Sequence, residues 1–533
     1  MPSRLMRAIL SGTIVCNLLA IRPMQAQSTP SPKQPLPNDA ATLHVTSRLV
    51  FLDVTVLDAK GHPVVNGLTQ DDFAITQDKK PQRIFSFEAP EAHVVAADTA
   101  EDNPAGKAPV TIFVLDQLNS TFEQMAYIRY CVHKYLANEP KQLKAPAEVM
   151  VLGNRSLEMA QGYTRDKKEL LSAVDHVPAA IPYKLNGSFF TERFVQSIDG
   201  LRQIALENSG VPGRKNIVWI GHGGPSLYTS LLDGNTAEKV TAYVHKTANM
   251  LVDARMSLFL IYPGLEVENR GITPISAMSA QTEIGEDDPF SGDVNFGVFV
   301  NETGGQLFYH RNDLDQLIRT SIDLGSRYYT LTYQPPEGAA DGKFRRVRVT
   351  MRNSALHVLT KAGYFSPDKG QPTDPRMDAL YNIAEAVQTN VPLQSLGLTI
   401  EKVIRHSDTN SAEITVNLDT KNLGWQPAAS GRNTADIGFA AASLSTQRDV
   451  LASKTEGLTL INPPQNPSRP ENVQAHLTIT LRIPRRTKSV RVVIGSLTNG
   501  RIGAIDLDRK TMDAAPSTPT PEPKLIPQPA KQP

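Results

Sequence analysis

The hydrophobic residues of the chain change their spacing twice along its length. Between residues 109 and 326, short runs of mostly apolar or β-branched residues alternate with segments in which apolar residues recur at helical spacing. Continuous apolar runs are typical of strands buried on both faces. Their alternation with helices predicts an α/β fold with a doubly wound, mostly parallel sheet. The runs are 110–115, 148–153, 216–220 and 256–262, and the helical segments are 122–135, 167–176, 191–208, 236–254 and 313–324.

On both sides of this region the apolar residues alternate with polar ones, which is the pattern of half-buried strands. Residues 43–90 predict a small β-rich amino-terminal domain, and residues 376–510 predict a carboxyl-terminal β-sandwich. Residues 327–366 form a further β segment. The pattern leaves open whether this segment completes the amino-terminal β domain or stands apart from it.

The two ends of the chain are expected to lie outside these domains. Residues 1–26 have a basic start, a short apolar run and a plausible cleavage site after Ala26, which predicts a secretory signal peptide; an uncleaved anchor is the alternative. The proline-rich residues 27–42 predict a disordered leader, and residues 511–533 predict a disordered tail. The mature chain is therefore expected in the periplasm or outside the cell, with Cys131 as its one cysteine and no transmembrane segment.

Composition and net charge indicate which classes of partner the protein is expected to bind. The formal net charge is +1 over 533 residues, whereas a surface that binds nucleic acid usually gives a basic excess. Hydrophobic residues make up 40% of the chain, which is enough for buried cores. The sequence therefore predicts a globular exported protein that does not bind nucleic acid.

Polar side chains that could bind a ligand or take part in catalysis follow the ends of two of the predicted buried strands. Asp116 follows the first run and is succeeded by Asn119 and Ser120, while His222 follows the run 216–220. Parallel strands of an open α/β sheet place their ligands at the carboxyl edge, so these side chains are expected to lie together. The simpler interpretation is that Asp116 only shapes a turn or caps the next helix.

Several segments, in this order, resemble the von Willebrand factor A-domain superfamily, and more narrowly the secreted A-domain proteins first grouped from acidobacteria. Singly each segment is weakly specific, but together they cover roughly residues 43–366. The resemblance implies an A-domain over residues 109–326, and the sandwich rests on periodicity alone. The segments are 52–56 with Gly61, 67–73, 113–120, 213–220, 302–305 and 328–333.

The resemblance also implies a metal-ion-dependent adhesion site, built on an Asp-x-Ser-x-Ser motif, a threonine and a second aspartate. Asp116 and Ser120 match the motif, but Leu118 stands at the first serine and His222 at the second aspartate. Imidazole is a poor ligand for Mg²⁺. For the threonine, Thr191 and Ser197 compete, and the spacing does not decide between them. The implied metal residues are Asp116 and Ser120, with Thr191 as the candidate threonine, in a degenerate site with no cofactor or only weak Mg²⁺ binding.

These observations favour a secreted, non-enzymatic A-domain protein that mediates adhesion or protein–protein interaction through the carboxyl edge, with Asn119 and His222 at the binding edge. The protein partner is unknown. One alternative is a secreted hydrolase that uses Ser120 and His222. However, the chain contains no Gly-x-Ser-x-Gly elbow, which an α/β-hydrolase would need. The other alternative is a structural scaffold of the cell envelope.

Overall fold

The computed structural model describes residues 49–93, 109–178, 180–185, 187–263, 288–309, 311–336, 340–367, 375–428, 432–462 and 474–518. The predicted signal peptide and leader, and residues 519–533 of the predicted tail, lie outside these ranges. The chain divides into two compact units. The first unit comprises residues 1–156, 160–199 and 212–371, and the second comprises residues 157–159, 200–211 and 372–533.

The first unit begins with four short strands that follow the alternating pattern of the sequence. The turn between the second and third strands contains two consecutive residues with positive φ, Asp78 at 49° and Lys79 at 66°. Two positive φ angles in a two-residue turn are what a tightly twisted β-hairpin requires. The strands are β1 (Val50–Leu57), β2 (Phe73–Gln77), β3 (Lys80–Gln82) and β4 (Ile84–Glu88).

Between residues 109 and 326, the described residues form a six-stranded sheet and six α-helices. Its strands are β5 (Val110–Asp116), β6 (Gln142–Leu152), β7 (Leu157–Asp166), β8 (Lys215–Ile220), β10 (Met256–Ile261) and β12 (Leu307–Phe308), while β9 (Leu227–Tyr228) pairs separately with β11 (Asp293–Val294). The helices are α1 (Phe122–Ala137), α2 (Lys167–Asp175), α3 (Phe190–Glu207), α4 (Gly234–Asp253), α5 (Phe296–Glu302) and α6 (Leu314–Ser326).

The strand order in this sheet is β12-β10-β8-β5-β6-β7. Strand β5 is parallel to both β6 and β8, and β10 is parallel to both β8 and β12. The prediction of an α/β fold with a mostly parallel sheet is therefore confirmed. Because β5 and β8 are neighbours, their carboxyl ends bring Asp116 and the loop that contains His222 to the same place.

The continuous apolar runs are explained by burial on both faces of the sheet. Every residue of β5, β8 and β10 is buried. On one face, Phe113 and Val218 share a core with apolar residues of α1, α2 and α6. On the other face, Trp219 packs against Phe296 of α5, with the ring centroids 4.7 Å apart.

After α6, the chain forms four more strands, which join β1–β4 in two sheets. Strands β13 (Tyr329–Tyr333), β14 (Phe344–Met351), β15 (His357–Leu359) and β16 (Gly363–Phe365) follow α6. They complete two four-stranded sheets, in the orders β15-β1-β13-β4 and β16-β14-β2-β3. Apolar residues of both sheets form one buried cluster. The β segment 327–366 thus pairs with the amino-terminal strands, the arrangement that the sequence pattern left open.

The second unit contains helix α7 (Pro375–Ala386) and a largely β structure. Two sheets, in the orders β22-β18-β17-β25 and β19-β20-β23-β24, with β21 paired to β20, contribute to one apolar core. The strands are β17 (Leu398–His406), β18 (Ser411–Asp419), β19 (Gln426–Pro427), β20 (Asn433–Leu444), β21 (Val450–Ile461), β22 (Gln474–Arg482), β23 (Ser489–Ser496), β24 (Ile502–Asp508) and β25 (Ser517–Thr518), with helix α8 (Arg509–Asp513) between the last two.

The boundary of the carboxyl-terminal tail differs from the prediction of disorder from residue 511. Ordered structure continues through residue 518 in helix α8 and strand β25. The side chain of Asp508 accepts a hydrogen bond from the backbone N–H of Thr511 at 2.6 Å and so caps α8. Strand β25 then pairs in parallel with β17. Tertiary pairing orders this short polar segment, whose composition alone favours disorder.

A helix that crosses a membrane must be both long and apolar. Within the part of the chain that the structure describes, none of the helices combines the length and the apolar character that a membrane crossing needs.

Candidate functional site

Asp116 is the last residue of β5, at the carboxyl edge of the six-stranded sheet, and it is 0% exposed. The chain leaves the strand through a polar loop and enters α1, whose N-cap is Thr121 rather than Asp116. The side chain of Thr121 accepts a hydrogen bond from the backbone N–H of Gln124. Asp116 is therefore not the helix cap, whereas the backbone N–H of Asn119, three residues on, donates to its side chain as the turn-shaping half of the simple interpretation expects. Its buried charge must be compensated by other groups.

Neutral N–H groups surround the carboxylate of Asp116. Its Oδ1 accepts from the backbone N–H of Asn119 at 3.1 Å and from the Asn119 side-chain amide at 3.0 Å. Its Oδ2 accepts from the indole of Trp219 at 3.0 Å, from the backbone N–H of Gly223 at 2.9 Å and from the Asn119 amide at 3.2 Å. Both oxygens therefore already have hydrogen-bond donors from the protein itself.

The glycine-rich loop after β8 can approach Asp116 because Gly221 has no side chain. Its φ is +148°, and a Cβ placed there would lie 2.3 Å from the Cβ of Asp116. Such a contact is impossible, so any other residue would push the loop away. The loop glycines thus serve to bring the N–H of Gly223 onto the carboxylate.

Asn119 connects the carboxylate to helix α3. Its side-chain N–H donates to Asp116 and also to Oγ of Ser197, at 3.0 Å. Its side-chain oxygen accepts from Nε of Arg193 at 2.9 Å. Arg193 and Ser197 lie four residues apart and so on the same face of α3. The result is a buried chain of contacts in which an amide separates a carboxylate from a guanidinium.

The charges at this edge follow from burial and from these contacts. Burial raises the pKa of Asp116 to about 6, although the donors from Trp219 and Asn119 and the charge of Arg193 act in the opposite direction. Asp116 is therefore mainly ionised at neutral pH. Burial lowers the pKa of Arg193 and the charge of Asp116 raises it. Arginine starts so far above neutrality that its guanidinium stays charged.

Three further polar side chains at this edge have no hydrogen-bond partner among the residues that the structure describes. They are Ser120, His222 and Ser226, which are 1%, 6% and 4% exposed, respectively. Both ring nitrogens of His222 are unpartnered, and the ring lies 4.1 Å from that of Tyr262. Burial, helped by the positive charge of Arg193, lowers the pKa of His222 to about 3. The imidazole is therefore neutral.

The predicted metal residues occupy different environments. Leu118 is part of the buried core and offers no oxygen. Thr191 lies in the first turn of α3 and is half-buried, whereas Ser197 is the hydroxyl that contacts Asn119. Mg²⁺ needs free oxygen ligands in octahedral geometry. The oxygens of Asp116 and Asn119 are engaged by N–H donors and a guanidinium lies beside them, so this donor set does not suit Mg²⁺.

The predicted binding-edge residues are buried: Asn119 is 0% exposed and His222 is 6% exposed. The exposed side chains in the segments at this edge instead include several large hydrophobic ones. Among the described residues of 109–326, six large hydrophobic side chains are exposed, and all except Tyr130 lie in segments at the carboxyl edge of the sheet. These five, which we call the apolar rim, are Phe122 (54% exposed), Ile181 (79%), Tyr183 (50%), Tyr228 (45%) and Tyr309 (42%).

Chain connectivity and hydrogen bonds place the apolar rim at this edge. Phe122 begins α1 directly after the Asp116 loop, Tyr228 lies in β9 after the glycine-rich loop, and Tyr309 follows β12. The segment that contains Ile181 and Tyr183 is held there because the side chain of Asn154, which follows β6, donates to the backbone oxygen of Ile181 at 2.9 Å.

Comparisons with known proteins give limited information. No protein-family model and no curated protein sequence matches the chain. Among solved structures, the chain is similar to manganese-loaded TRAP protein from Plasmodium vivax, at 10% identity and a TM-score of 0.23, over 50% of this chain and 96% of that one. It is also similar to the SpRpn10 VWA domain, at 15% identity and a TM-score of 0.17, over 30% and 77%. Likeness at this level carries no argument about ligands or function.

Sequence reasoning missed two residues of this site. Trp219 reads as a core aromatic, yet its indole N–H is a donor to Asp116. Arg193 is one of several charged residues in an amphipathic helix, and its sequence position alone does not distinguish it from the others. The available signal was its position four residues before Ser197, a residue that the sequence had already brought to this edge as a competing ligand.

Proposed function

We propose that this protein is a secreted, non-enzymatic interaction protein that binds a protein partner through the apolar rim, with a degenerate adhesion site of the von Willebrand factor A type beneath it. The observation that carries the proposal is the distribution of exposed apolar side chains. Five of six in the described part of 109–326 lie at one edge. Aromatic residues, tyrosine especially, are enriched in the regions of protein interfaces that contribute most to affinity.

The hydrolase alternative is disfavoured by the contacts of its candidate residues. A serine nucleophile needs a hydrogen bond to its base, and the base needs a group that orients it. Within the described part of the chain, Ser120 and both nitrogens of His222 have no hydrogen-bond partner, and the donors to Asp116 are Asn119, Trp219 and Gly223. These contacts support a packed structural edge rather than a catalytic triad.

The interaction proposal is tested by cross-linking in the native envelope fraction. The triple variant Ile181→Ser, Tyr183→Ser, Tyr228→Ser removes three apolar side chains from the edge. A protein that cross-links to the wild type should be recovered at least about tenfold less with this variant, since interface hot spots cost about 2 kcal/mol or more each. The matched control is Tyr130→Ser, which removes an equally exposed tyrosine from α1. Equal recovery with both variants would instead favour the scaffold alternative.

Export is part of the proposal, and it rests on the sequence of residues 1–26. Mass spectrometry of the protein from the native envelope fraction should find a mature chain that begins at or near Gln27. Recovery of chains that begin at Met1 from the cytosol would contradict the periplasmic or extracellular assignment.

The degenerate metal site is tested by calorimetric titration of the exported chain with Mg²⁺. We expect no saturable binding at micromolar levels and no change in melting temperature on adding a chelator, because a ligand stabilises only if it binds the native state. Micromolar binding that disappears in Asp116→Ala would show that an intact adhesion site is present.

A further inference from the structure

We propose that this protein forms a homodimer through strand β21 of the second unit, whose outer edge pairs in antiparallel fashion with the same strand of a second copy. The proposal is independent of the interaction function proposed above, because it concerns a different unit and a different partner. Its basis is an exposed strand edge whose charged side chains are complementary to themselves across a twofold axis, which is the usual symmetry of homodimers.

Strand β21 (Val450–Ile461) is a long edge strand. It has 12 residues, whereas strands in globular proteins commonly have about five or six. Within the described part of the chain it pairs with β20 alone, and none of its residues is buried. Long exposed edges pair readily with a strand of another chain, because they present a row of backbone N–H and C=O groups that need partners.

The hydrogen bonds to β20 determine which backbone groups of β21 face outward. The backbone N–H of Asn462 donates to the backbone oxygen of Asn433 at 2.9 Å, so these two residues form a hydrogen-bonded pair. Hydrogen-bonded and non-hydrogen-bonded pairs alternate along an antiparallel ladder. In the observed register, the even-numbered residues 452–460 therefore bond to β20, and the odd-numbered residues 453–461 direct their N–H and C=O groups outward.

Lys454 and Glu456 favour one register for the pairing of two copies. Their side chains point to the same face of the sheet, are 45% and 36% exposed, and form an ion pair at 2.7 Å. When Thr455 lies opposite Thr455 of the second copy, each Lys454 lies opposite Glu456 of the other copy. This is a non-hydrogen-bonded pair, in which the Cα atoms approach to about 4.5 Å and the side chains are closest.

The neighbouring registers are unfavourable. A twofold axis at Lys454 would place two lysines opposite each other, and an axis at Glu456 would place two glutamates opposite each other. Like charges directly opposite destabilise a strand pair. A lysine alone would discourage pairing of an edge strand altogether, but Glu456 supplies its complement. The charges thus select the register, while the backbone hydrogen bonds supply most of the affinity, because exposed ion pairs contribute little.

The same register also brings apolar side chains together. Leu458, which is 37% exposed, lies opposite Ala452 of the second copy, on the face that carries Lys454 and Glu456. Ala452 packs against the core of the sandwich. Pairing would therefore extend this apolar surface into the second copy and remove Leu458 from water, which is favourable.

Sedimentation velocity of the purified exported chain over a micromolar concentration series tests the association. We expect a reversible equilibrium between monomer and dimer, which Thr455→Pro weakens at least about tenfold because it removes hydrogen bonds at the twofold axis. The N–H of Thr455 faces away from β20, so proline leaves the ladder between β20 and β21 intact.

The matched control is Thr480→Pro on β22, the exposed edge strand of the other sheet. The backbone N–H of Ile483 donates to the backbone oxygen of Asn410, so in the register with β18 the N–H of Thr480 also faces away from its neighbouring strand. This variant should leave the association unchanged.

A charge exchange tests the register. Lys454→Glu and Glu456→Lys should each weaken the dimer about fivefold or more, because like charges then lie opposite each other at both sites. An equimolar mixture of the two variants should form heterodimers, since every lysine again faces a glutamate. Neither variant retains the ion pair within its own strand, so recovery in the mixture reports the contact between chains.

A cysteine at the twofold axis gives a second measure of the register. In Thr455→Cys the two copies of the cysteine lie in a hydrogen-bonded pair with Cα atoms about 5.5 Å apart, which a disulfide can span. In the control Ser453→Cys, the two copies lie about 14 Å apart along the strands. Mild oxidation should therefore link the first variant into a covalent dimer and leave the second unlinked.

The outcomes separate this inference from the proposed function. A chain that stays monomeric throughout the concentration series would overturn the homodimer. A dimer that Thr455→Pro and the charge variants leave unchanged would also overturn it, because the contact then lies elsewhere. Equal cross-linking of Ser453→Cys and Thr455→Cys would contradict the register. The triple variant of the apolar rim should still dimerise, so the two proposals can fail separately.

Discussion

Asp53 and Asp116 are two aspartates in the first unit that are largely or wholly withdrawn from solvent, and their carboxylates are compensated in different ways. Asp53, on β1, is 10% exposed and pairs directly with Arg255 in a two-pronged ion pair, with Nε of Arg255 3.0 Å from Oδ2. Asp116 is 0% exposed, and its hydrogen-bond donors among the described residues are all neutral. Its nearest cation, Arg193, reaches it through an amide.

The two arrangements shift the carboxyl pKa in opposite directions. At Asp53, burial alone would raise the pKa, but the charge and hydrogen bonds of Arg255, the charge of Arg214 and the hydroxyl of Thr330 outweigh it and lower the pKa. At Asp116, burial is the larger effect and raises the pKa to about 6. The difference shows that an ion pair in contact compensates burial more fully than a shell of neutral donors does.

The largest expected effect comes from removing the arginine of each arrangement. Arg255→Met leaves Asp53 without its direct ion-pair partner and should lower the free energy of unfolding by about 3–5 kcal/mol. Arg193→Met removes one hydrogen bond to Asn119 and leaves every donor to Asp116 in place, so about 1–2 kcal/mol is expected. Urea unfolding followed by the fluorescence of Trp219 in the Trp425→Phe background measures both.

A control addresses the origin of the larger loss. Adding Asp53→Asn to Arg255→Met should recover part of the lost stability, because the uncompensated charge is then gone. Equal destabilisation by the two arginine variants would mean that the two carboxylates are compensated alike, contrary to the comparison.

A second, smaller effect is the dependence of stability on pH. The folded pKa of Asp116 lies above its unfolded value, so its contribution to stability should fall as pH rises from about 4 to about 6. The folded pKa of Asp53 lies below its unfolded value, so its contribution should be present above about pH 4 and lost as pH falls further. The difference in unfolding free energy between wild type and Asp116→Asn, or Asp53→Asn, measured against pH, should therefore slope in opposite directions. Slopes of the same sign would refute this assignment.

The smallest effect is expected where the same pair of residue types lies in solvent. Arg311 and Asp313 form an ion pair with side chains 56% and 40% exposed. Water and salt screen such pairs, so Arg311→Gln should leave the melting temperature within measurement error. A clear drop in melting temperature at low ionic strength would indicate that contact geometry, rather than burial, determines how much the Asp53–Arg255 ion pair stabilises the protein.

The general arrangement of the first unit could be predicted from the sequence because the burial of a strand or helix determines the spacing of its own apolar residues. A strand covered on both faces is apolar at nearly every position, as 110–115 is apart from Thr111 and as 216–220 is after Asn216. A helix that packs on a sheet repeats its apolar residues at helical spacing. The position of Asp116 and of the His222 loop at one edge followed from the parallel sheet that these patterns predict.

The compensation of Asp116 could not be predicted in this way, since its partners come from distant parts of the chain. Trp219 is 103 residues away from Asp116, Gly223 is 107 away, and Arg193 acts through Asn119, which is 74 residues from it. No spacing rule connects such residues. Their hydrogen bonds exist because β5 and β8 are adjacent and α3 packs beside the loops that follow them.

The sequence by itself therefore determined the main buried strands and packed helices between residues 109 and 326, the position of the parallel sheet and the aspartate that ends its central strand, because each of these follows from local hydrophobic spacing. The tertiary structure alone decided the pairing of β1–β4 with β13–β16, the ordering of residues 511–518 and the use of Asp116 as an acceptor for neutral donors beside Arg193. These features depend on distance in space and on burial, which hydrophobic spacing along the chain does not specify. The role of a charged side chain can be assigned only when the groups that surround it in the folded protein are known.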